Sequence, residues 1–287
     1  MSFADLRPQT HARLQAAAAS PAQGFLIKGS RGSGLSAVAR ELATMLMCEH
    51  GGCGTCGTCV SVAAGACLDL SRVAGGSPVP IAELRALLKW SVLAPVLARR
   101  RVIIVEEVER LRTSFPALLK SVEEPPPATS WIFTASSIPP ELLPIASRCF
   151  PIEVEAPGDR EVVAAMEGVG LEPSAELRTL VRGRLDRVEL LARLDDPVGY
   201  FFQFRELPSL VRPEPGWLME LARRLDPESR GITGEAAREI LRCGLEILAG
   251  AAVGWTLRAS RAAAGLDRNL SVRLVLAELL FRADGGE

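Results

Sequence analysis

The sequence predicts an α/β domain with a mostly parallel sheet, followed by two segments that are helical throughout. Three observations predict it. Short apolar runs rich in β-branched residues alternate with helical patterns as far as residue 156. A glycine-rich stretch joins the first of these runs to the first long helix. Beyond Pro157 no convincing strand pattern remains. At 287 residues the chain can form two or three domains with a sizeable core. The divisions read here are 1–156, 157–204 and 205–287.

The elements follow in order. His11 to Ala19 reads as a short helix, and Phe25 to Lys28 as the first strand. Leu35 to Cys48 carries Val38, Leu42, Met45 and Leu46 at helical spacing, with a buried side. A cysteine cluster and the short stretch Leu68 to Val73 precede a helix from Ile81 to about Val92. Arg101 to Val105 is continuously apolar after its first residue, which suits a strand buried on both faces. A helix from Ser114 to Val122 must stop at Pro125-Pro126-Pro127. Trp131 to Ala135 is the next strand, Pro140 to Ala146 a short helix, and Phe150 to Val154 the last strand. Later helices fit Arg160–Glu167, Ser174–Arg182, Asp186–Leu194, Pro215–Leu225, Glu235–Trp255 and Leu270–Arg282. Between them, Tyr200 to Pro215 holds an aromatic knot and three prolines, which reads as a hinge with a packed joint.

The bulk numbers are those of an ordinary globular protein: 48% hydrophobic, 23% charged and a net charge of -1. Neither nucleic acid nor membrane has a global electrostatic footprint here. The basic residues are 30 arginines against 3 lysines, which reflects genome composition rather than phosphate recognition. No secretory leader is visible and no apolar run approaches ~20 residues, so the expectation is a cytoplasmic protein without a membrane span. A reducing compartment argues against structural disulfides among the seven cysteines.

Gly29-Ser30-Arg31-Gly32-Ser33-Gly34-Leu35-Ser36 meets the phosphate-loop pattern G-x-x-x-x-G-K-[ST] at every fixed position but one. Leu35 stands where the lysine that faces the β- and γ-phosphates belongs. Backbone N–H groups at the helix start would keep their cradle without its main charge. On this stretch alone, a decayed nucleotide site and a turn that never met phosphate are equally good readings. Glu106 and Glu107 close the apolar strand where a nucleotide hydrolase places an acid for Mg²⁺ and a second to orient water. The usual first acid is Asp, and Glu106 is one methylene longer. Together with Leu35 this speaks against hydrolysis in the chain's own site. Two adjacent acids are also common as plain surface charge.

Cys48, Cys53, Cys56 and Cys59 form C-x4-C-x2-C-x2-C, with glycines at 51, 52, 54 and 57 that let the loop close tightly. Four thiolates can surround one tetrahedral ion, and zinc is the leading reading. With four sulfurs no coordination position is left open, so such a zinc is structural. An iron–sulfur cluster fits less well because the Cys-Pro ending is missing. The plain alternative is a set of free thiols. His50 is a substitute ligand that four cysteines make unnecessary, and Cys67, Cys149 and Cys243 read as small buried residues. Arg148 lies between a short helix and a strand at the sheet's rim. A guanidinium there can stabilise a γ-phosphate held by a neighbouring subunit. Taken alone, an arginine in a loop is more often a surface ion pair.

The order of these motifs resembles the delta-prime subunits of the bacterial DNA polymerase III clamp loader, an AAA+ fold. The residues that carry the resemblance are the lysine-less loop 29–36, the four-cysteine insert after the first long helix, and Ile81…Leu84-Arg85. Further on come Leu118-Leu119-Lys120-Ser121-Val122-Glu123-Glu124-Pro125-Pro126 and Ser147-Arg148-Cys149. The likeness is strong over 23–156 and only architectural beyond. It implies an AAA+ core with a zinc module at 48–59, a helical lid over 157–204 and a helical collar over 205–287. It also implies partners: tau/gamma-type motor subunits and a delta-type subunit in a five-membered ring, with the sliding clamp and primed DNA reached through the assembly. In that ring the chain would be a stator that binds ATP weakly or not at all, and Arg148 would complete the ATP site next door. The vestigial site is then Gly29, Gly34, Leu35 and Ser36 with the acids Glu106 and Glu107. The resemblance places Arg187 at the second-sensor position and Thr134 near the first.

Three departures mark a divergent member: Glu106-Glu107 in place of Asp-Glu, Leu68-Asp69-Leu70 in place of His-Pro-Asp, and Gln23-Gly24 in place of His-Ala. Two other functions compete with the stator. One is an ATP-hydrolysing motor subunit of the same loader, against which the missing lysine argues. The other is a zinc-stabilised adaptor that kept the fold and left replication.

Overall fold

The computed structural model describes residues 3–20, 22–73, 81–110, 116–207, 215–251, 253–268 and 270–281. The chain forms two compact units, Met1–Glu161 and Val162–Glu287.

The first unit opens with α1 (Phe3–Leu6) and α2 (Pro8–Ala19), then β1 (Gly24–Lys28), α3 (Leu35–Met47) and α4 (Gly57–Ala63). It continues with β2 (Leu70–Val73), α5 (Ile81–Ser91), β3 (Arg101–Val105) and α6 (Pro116–Glu123). It ends with β4 (Thr129–Ala135), α7 (Leu143–Ala146) and β5 (Phe150–Glu153). The five strands make one sheet in the order β2-β3-β4-β1-β5, and every pairing is parallel. Every residue of β3 and β4 is buried, as a parallel sheet covered on both faces requires. The strand period of two sorts the side chains into two cores. Leu26, Ile103, Val105, Trp131 and Phe133 face one of them with Leu84 and Leu118. Phe25, Ile27, Val102, Ile104 and Ile132 face the other with Leu14, Val38 and Leu42. This is a five-stranded parallel α/β core, with the glycine-rich turn between β1 and α3.

Two elements of this unit differ from the sequence expectation. Leu68 to Val73 is no mere connecting stretch, since Leu70–Val73 pairs with β3 as an edge strand. Its half-polar pattern, with Ser71 and Arg72, hid it. The cysteine segment also carries a helix, α4, whose N-cap is Cys56. Of the helix expected from Ser114, residues 114 and 115 lie outside the described residues.

The second unit is helical, as expected. After α8 (Asp159–Gly168), which crosses into it, come α9 (Ala175–Val181), α10 (Leu185–Leu191) and α11 (Pro197–Glu206). They are followed by α12 (Pro215–Leu225), α13 (Gly234–Ala251), α14 (Val253–Asp267) and α15 (Val272–Phe281). The aromatic knot is not a hinge but the body of α11. Asp196 caps that helix, and Pro197 sits in its first turn. Tyr200, Phe201 and Phe204 are buried on one side, while Phe202 stays exposed. The Tyr200 hydroxyl donates to Leu225 O at 2.7 Å. A Cβ on Gly244 would lie 2.5 Å from the Phe204 ring, so the ring seats directly on the α13 backbone. The remainder of the expected hinge, 208–214, lies outside the described residues. The single helix expected over Glu235–Trp255 is two helices, α13 and α14, and residue 252 is not described. The second was missed because its buried face is mostly alanine, Ala259 and Ala262 before Leu266, which gives a faint apolar stripe. One hydrophobic cluster joins helices on both sides of position 204, from Val162 to Leu280. No helix of the described residues is long and apolar enough to cross a membrane.

Candidate functional site

In open α/β sheets ligands gather outside the carboxyl ends of the strands. The ends of β1 and β3 here are the glycine loop and Glu106-Glu107. The loop has the expected shape. Gly32 and Gly34 both have φ of 78°, a conformation that favours glycine, and Gly34 caps α3. The loop is also closed on itself. A Cβ on Gly29 would lie 2.8 Å from Ser33 Oγ, 2.9 Å from Leu35 Cδ2 and 3.0 Å from Val154 O. Leu35 therefore folds over the first glycine of the loop and packs against the core on that side of the sheet. Its side chain takes part in packing and contributes no charge.

Glu106 is buried, and its two oxygens accept from Arg72 Nε and Nη2 of β2, each at 2.9 Å. This bidentate pair neutralises the acid from within the domain. Glu107 has φ of 47°, and its N–H donates to Thr134 Oγ1 at 3.0 Å. Thr134 thus shapes the turn that carries the two acids. Arg7 is a participant that the sequence did not disclose. It is buried, donates to Ser33 O at 2.6 Å and pairs through Nε with Glu161 at 2.7 Å. Nothing local marks Arg7 in the sequence, because its partners lie 26 and 154 residues away.

Asp69 belongs to one of the three departures. It is fully buried and accepts from the N–H groups of Val96, Leu97 and Ala98 at 2.7 to 2.8 Å. Burial raises its pKa, but these three donors and Arg101 outweigh that and hold it below the ordinary carboxylate value. Arg101 lies 3.8 Å from the carboxylate, donates to Ala94 O and Trp90 O, and stacks 4.2 Å over the Trp90 ring. Together they fix the connection into β3.

The four cysteines converge. The Sγ atoms of Cys48, Cys53, Cys56 and Cys59 all lie within 4.8 Å of one another. Cys48 Sγ is 3.7 Å from Cys53 Sγ and 3.6 Å from Cys56 Sγ. Four sulfurs at ~2.3 Å from a tetrahedral centre are ~3.8 Å apart, so the spacing fits such a centre. Backbone N–H groups turn toward the sulfurs, His50 N to Cys48 at 3.3 Å and Cys59 N to Cys56 at 3.5 Å. Donors from Thr55 and Cys56 bring Cys53 down to about 5. Burial, then the neighbouring Cys56 and Cys48 sulfurs, pushes Cys59 up to about 12. A cation at the centre is what would let all four ionise together. His50 contributes its N–H and is not among the converging ligand groups.

Arg148 sits in the turn between α7 and β5. Its N–H donates to Ile145 O, and its side chain is half-exposed. Nη1 donates to Pro144 O at 2.7 Å and Ser147 Oγ at 3.2 Å, while Nη2 pairs with Glu123 Oε1 at 2.7 Å. The plain expectation of an ion pair is therefore met, on a side chain that remains open to solvent. Cys149 anchors the turn. It is buried, its thiol is pushed up to about 12 by burial, and a Cβ on Gly24 would lie 3.1 Å from its sulfur. Glycine at 24 makes that seat. Arg187, by contrast, is buried in the second unit, where it donates to Leu180 O and pairs with Glu246.

The family model described as DNA polymerase III, delta subunit matches residues 7–157. The chain belongs to that family. Among curated relatives, the DNA polymerase III subunit gamma of Buchnera aphidicola is 29% identical over 157 residues, which is 53% of this chain and 44% of that protein. The subunit gamma/tau of Mycobacterium tuberculosis is 37% identical over 154 residues, covering 50% of this chain and 26% of its own length. The chain spans less than half the length of these relatives. A DNA polymerase III gamma subunit-related protein of Thermotoga maritima aligns over 96% of this chain and 98% of its own, with a TM-score of 0.57 at 18% identity. That likeness is one of fold, and it extends over both units.

Proposed function

We propose that this delta-family chain is a non-hydrolysing stator subunit of a DNA sliding-clamp loader, and that Arg148 completes the ATP site of a neighbouring motor subunit. The observation that carries the reading is the pairing of Glu106 with Arg72, which occupies the acid at the Mg²⁺ position. Leu35 packed over Gly29 removes the second requirement, the cation for the phosphates. Arg148 keeps a half-exposed guanidinium at the sheet's rim, as a group that acts on a neighbour must. The partners of this reading are tau/gamma-type motor subunits and a delta-type subunit in a five-membered ring, acting on the clamp and primed DNA. Residues 157–204 would serve as lid and 205–287 as collar; from Val162 onward the two segments belong to one compact unit. The four-cysteine knot would hold a structural zinc that fixes the segment between α3 and β2.

The experiment is reconstitution with the motor subunit of the same source, followed by steady-state ATP hydrolysis with clamp and primed DNA. Arg148→Ala is expected to lower kcat at least about tenfold while the complex still forms. An unchanged rate in an intact complex removes the trans role. Failure of the wild-type chain to co-elute with the motor subunit would instead favour the adaptor.

A further inference from the structure

The acidic pair at the end of α6 is locally unfavourable. Glu123 is the last residue of the helix and Glu124 follows it, so two carboxylates sit at the negative end of the helix dipole. The prolines at 125–127 stop the helix without requiring either acid. What compensates Glu123 is Arg148, at 2.7 Å. Seen from the arginine, the contacts divide by origin. Its own turn supplies two neutral acceptors, Pro144 O and Ser147 Oγ, and both engage Nη1. Glu123 engages Nη2, and among the described residues it is the one charged partner and the one contact from outside residues 144–148. Nε has no acceptor among the described residues. The guanidinium is thus held from two sides by atoms of this chain, with one N–H edge left over.

We infer that Glu123 is a positioning residue for Arg148: its carboxylate fixes the guanidinium in the pose in which the free edge meets the γ-phosphate of the neighbouring subunit. This rests on the trans role proposed above and deepens it. A long, exposed arginine is a mobile group, and ordering it at the moment of reaction costs rate. A carboxylate that orders it beforehand lowers that cost without touching nucleotide. The pair is half-exposed and screened, so it contributes little to the stability of the fold itself.

Steady-state ATP hydrolysis by the reconstituted loader tests this with Glu123→Ala, Glu123→Gln, Arg148→Ala and the double variant. Glu123→Ala is expected to lower kcat about threefold to tenfold, with the KM for ATP changed less than about twofold. Glu123→Gln, which keeps an acceptor for Nη2, should recover part of the loss; it also decides the matter if the alanine variant folds poorly. The double variant should be no slower than Arg148→Ala alone, because a positioning residue has nothing left to position. Glu123→Ala at or above the wild-type rate, with Arg148→Ala still slow, overturns the inference and leaves the trans role standing. Losses that multiply in the double variant also overturn it, since Glu123 would then act apart from Arg148. A wild-type rate for Arg148→Ala removes the trans role itself, and the inference with it.

Discussion

Two ligand-like regions of the first unit carry opposite arrangements of charge. In the cysteine knot, four sulfurs point at one another, and the charge that would let them ionise together has to come from outside the chain. At the glycine loop, by contrast, three groups are engaged from within the chain. Leu35 packs over Gly29, Glu106 pairs with Arg72, and Ser33 O takes a donor from Arg7. The two regions differ in where the compensating charge comes from: outside the chain at the knot, inside it at the loop.

The sharpest way to break the comparison is to test the outside charge. Protein purified under reducing conditions should carry about one zinc per chain, and Cys56→Ser should lose most of it and lower the Tm by about 10 °C or more. Cys56 is a good choice because it is both a converging ligand and the N-cap of α4. Wild-type protein with no bound metal, and a variant of unchanged Tm, would make the knot a set of free thiols. The contrast with the loop would then vanish.

Next comes an acid answered internally. Asp69→Asn keeps the shape but removes the charge that binds three N–H groups and faces Arg101. The cost should be about 2–4 kcal/mol, read as a lower urea midpoint. The sign with pH follows from the depressed pKa of Asp69. Its stabilisation is present above the unfolded carboxylate value of ~3.9 and is lost as pH falls through the lower folded value. Between pH 7 and pH 3 the wild-type midpoint should fall more than that of Asp69→Asn. Equal falls would mean that the buried charge is not what holds residues 96–98.

These residues also show how much was legible beforehand. The strands β1, β3 and β4, the loop and the cysteine knot all follow local patterns, and the sequence carries local patterns openly. The short motif around Arg148 drew attention to it, but not to its pairing with Glu123. Arg72, Arg7 and Asp69 were not legible, because each acts through a contact made by the folded chain. Arg72 reaches Glu106 across 34 residues, from an edge strand whose mixed pattern concealed it. The sequence pointed to Leu35 as the flaw in the loop. It also flagged Glu106 as a methylene too long, but gave no sign that Arg72 pairs with it. In the second unit, α11 was obscured by the proline signal around its aromatic residues, and α14 by its alanine face.

The smallest expected effect is the most instructive, because it separates a missing charge from a closed site. If Leu35 were the sole defect, Leu35→Lys would restore the pattern of a working loop and bring ATP with Mg²⁺ into the micromolar range. The internal pairing predicts otherwise. The wild-type chain should show no binding at about 1 mM ATP by calorimetry, and Leu35→Lys should improve on that less than about tenfold. Glu106 would still be held by Arg72 through two hydrogen bonds, and Mg²⁺ would have to displace a bidentate guanidinium to reach it. Adding Arg72→Ala to Leu35→Lys should then raise the affinity beyond either change alone, since it frees the acid where the metal is needed. Micromolar binding by Leu35→Lys alone would show that Arg72 yields easily. The loop would then be one charge short of a functioning site, and the motor reading would return.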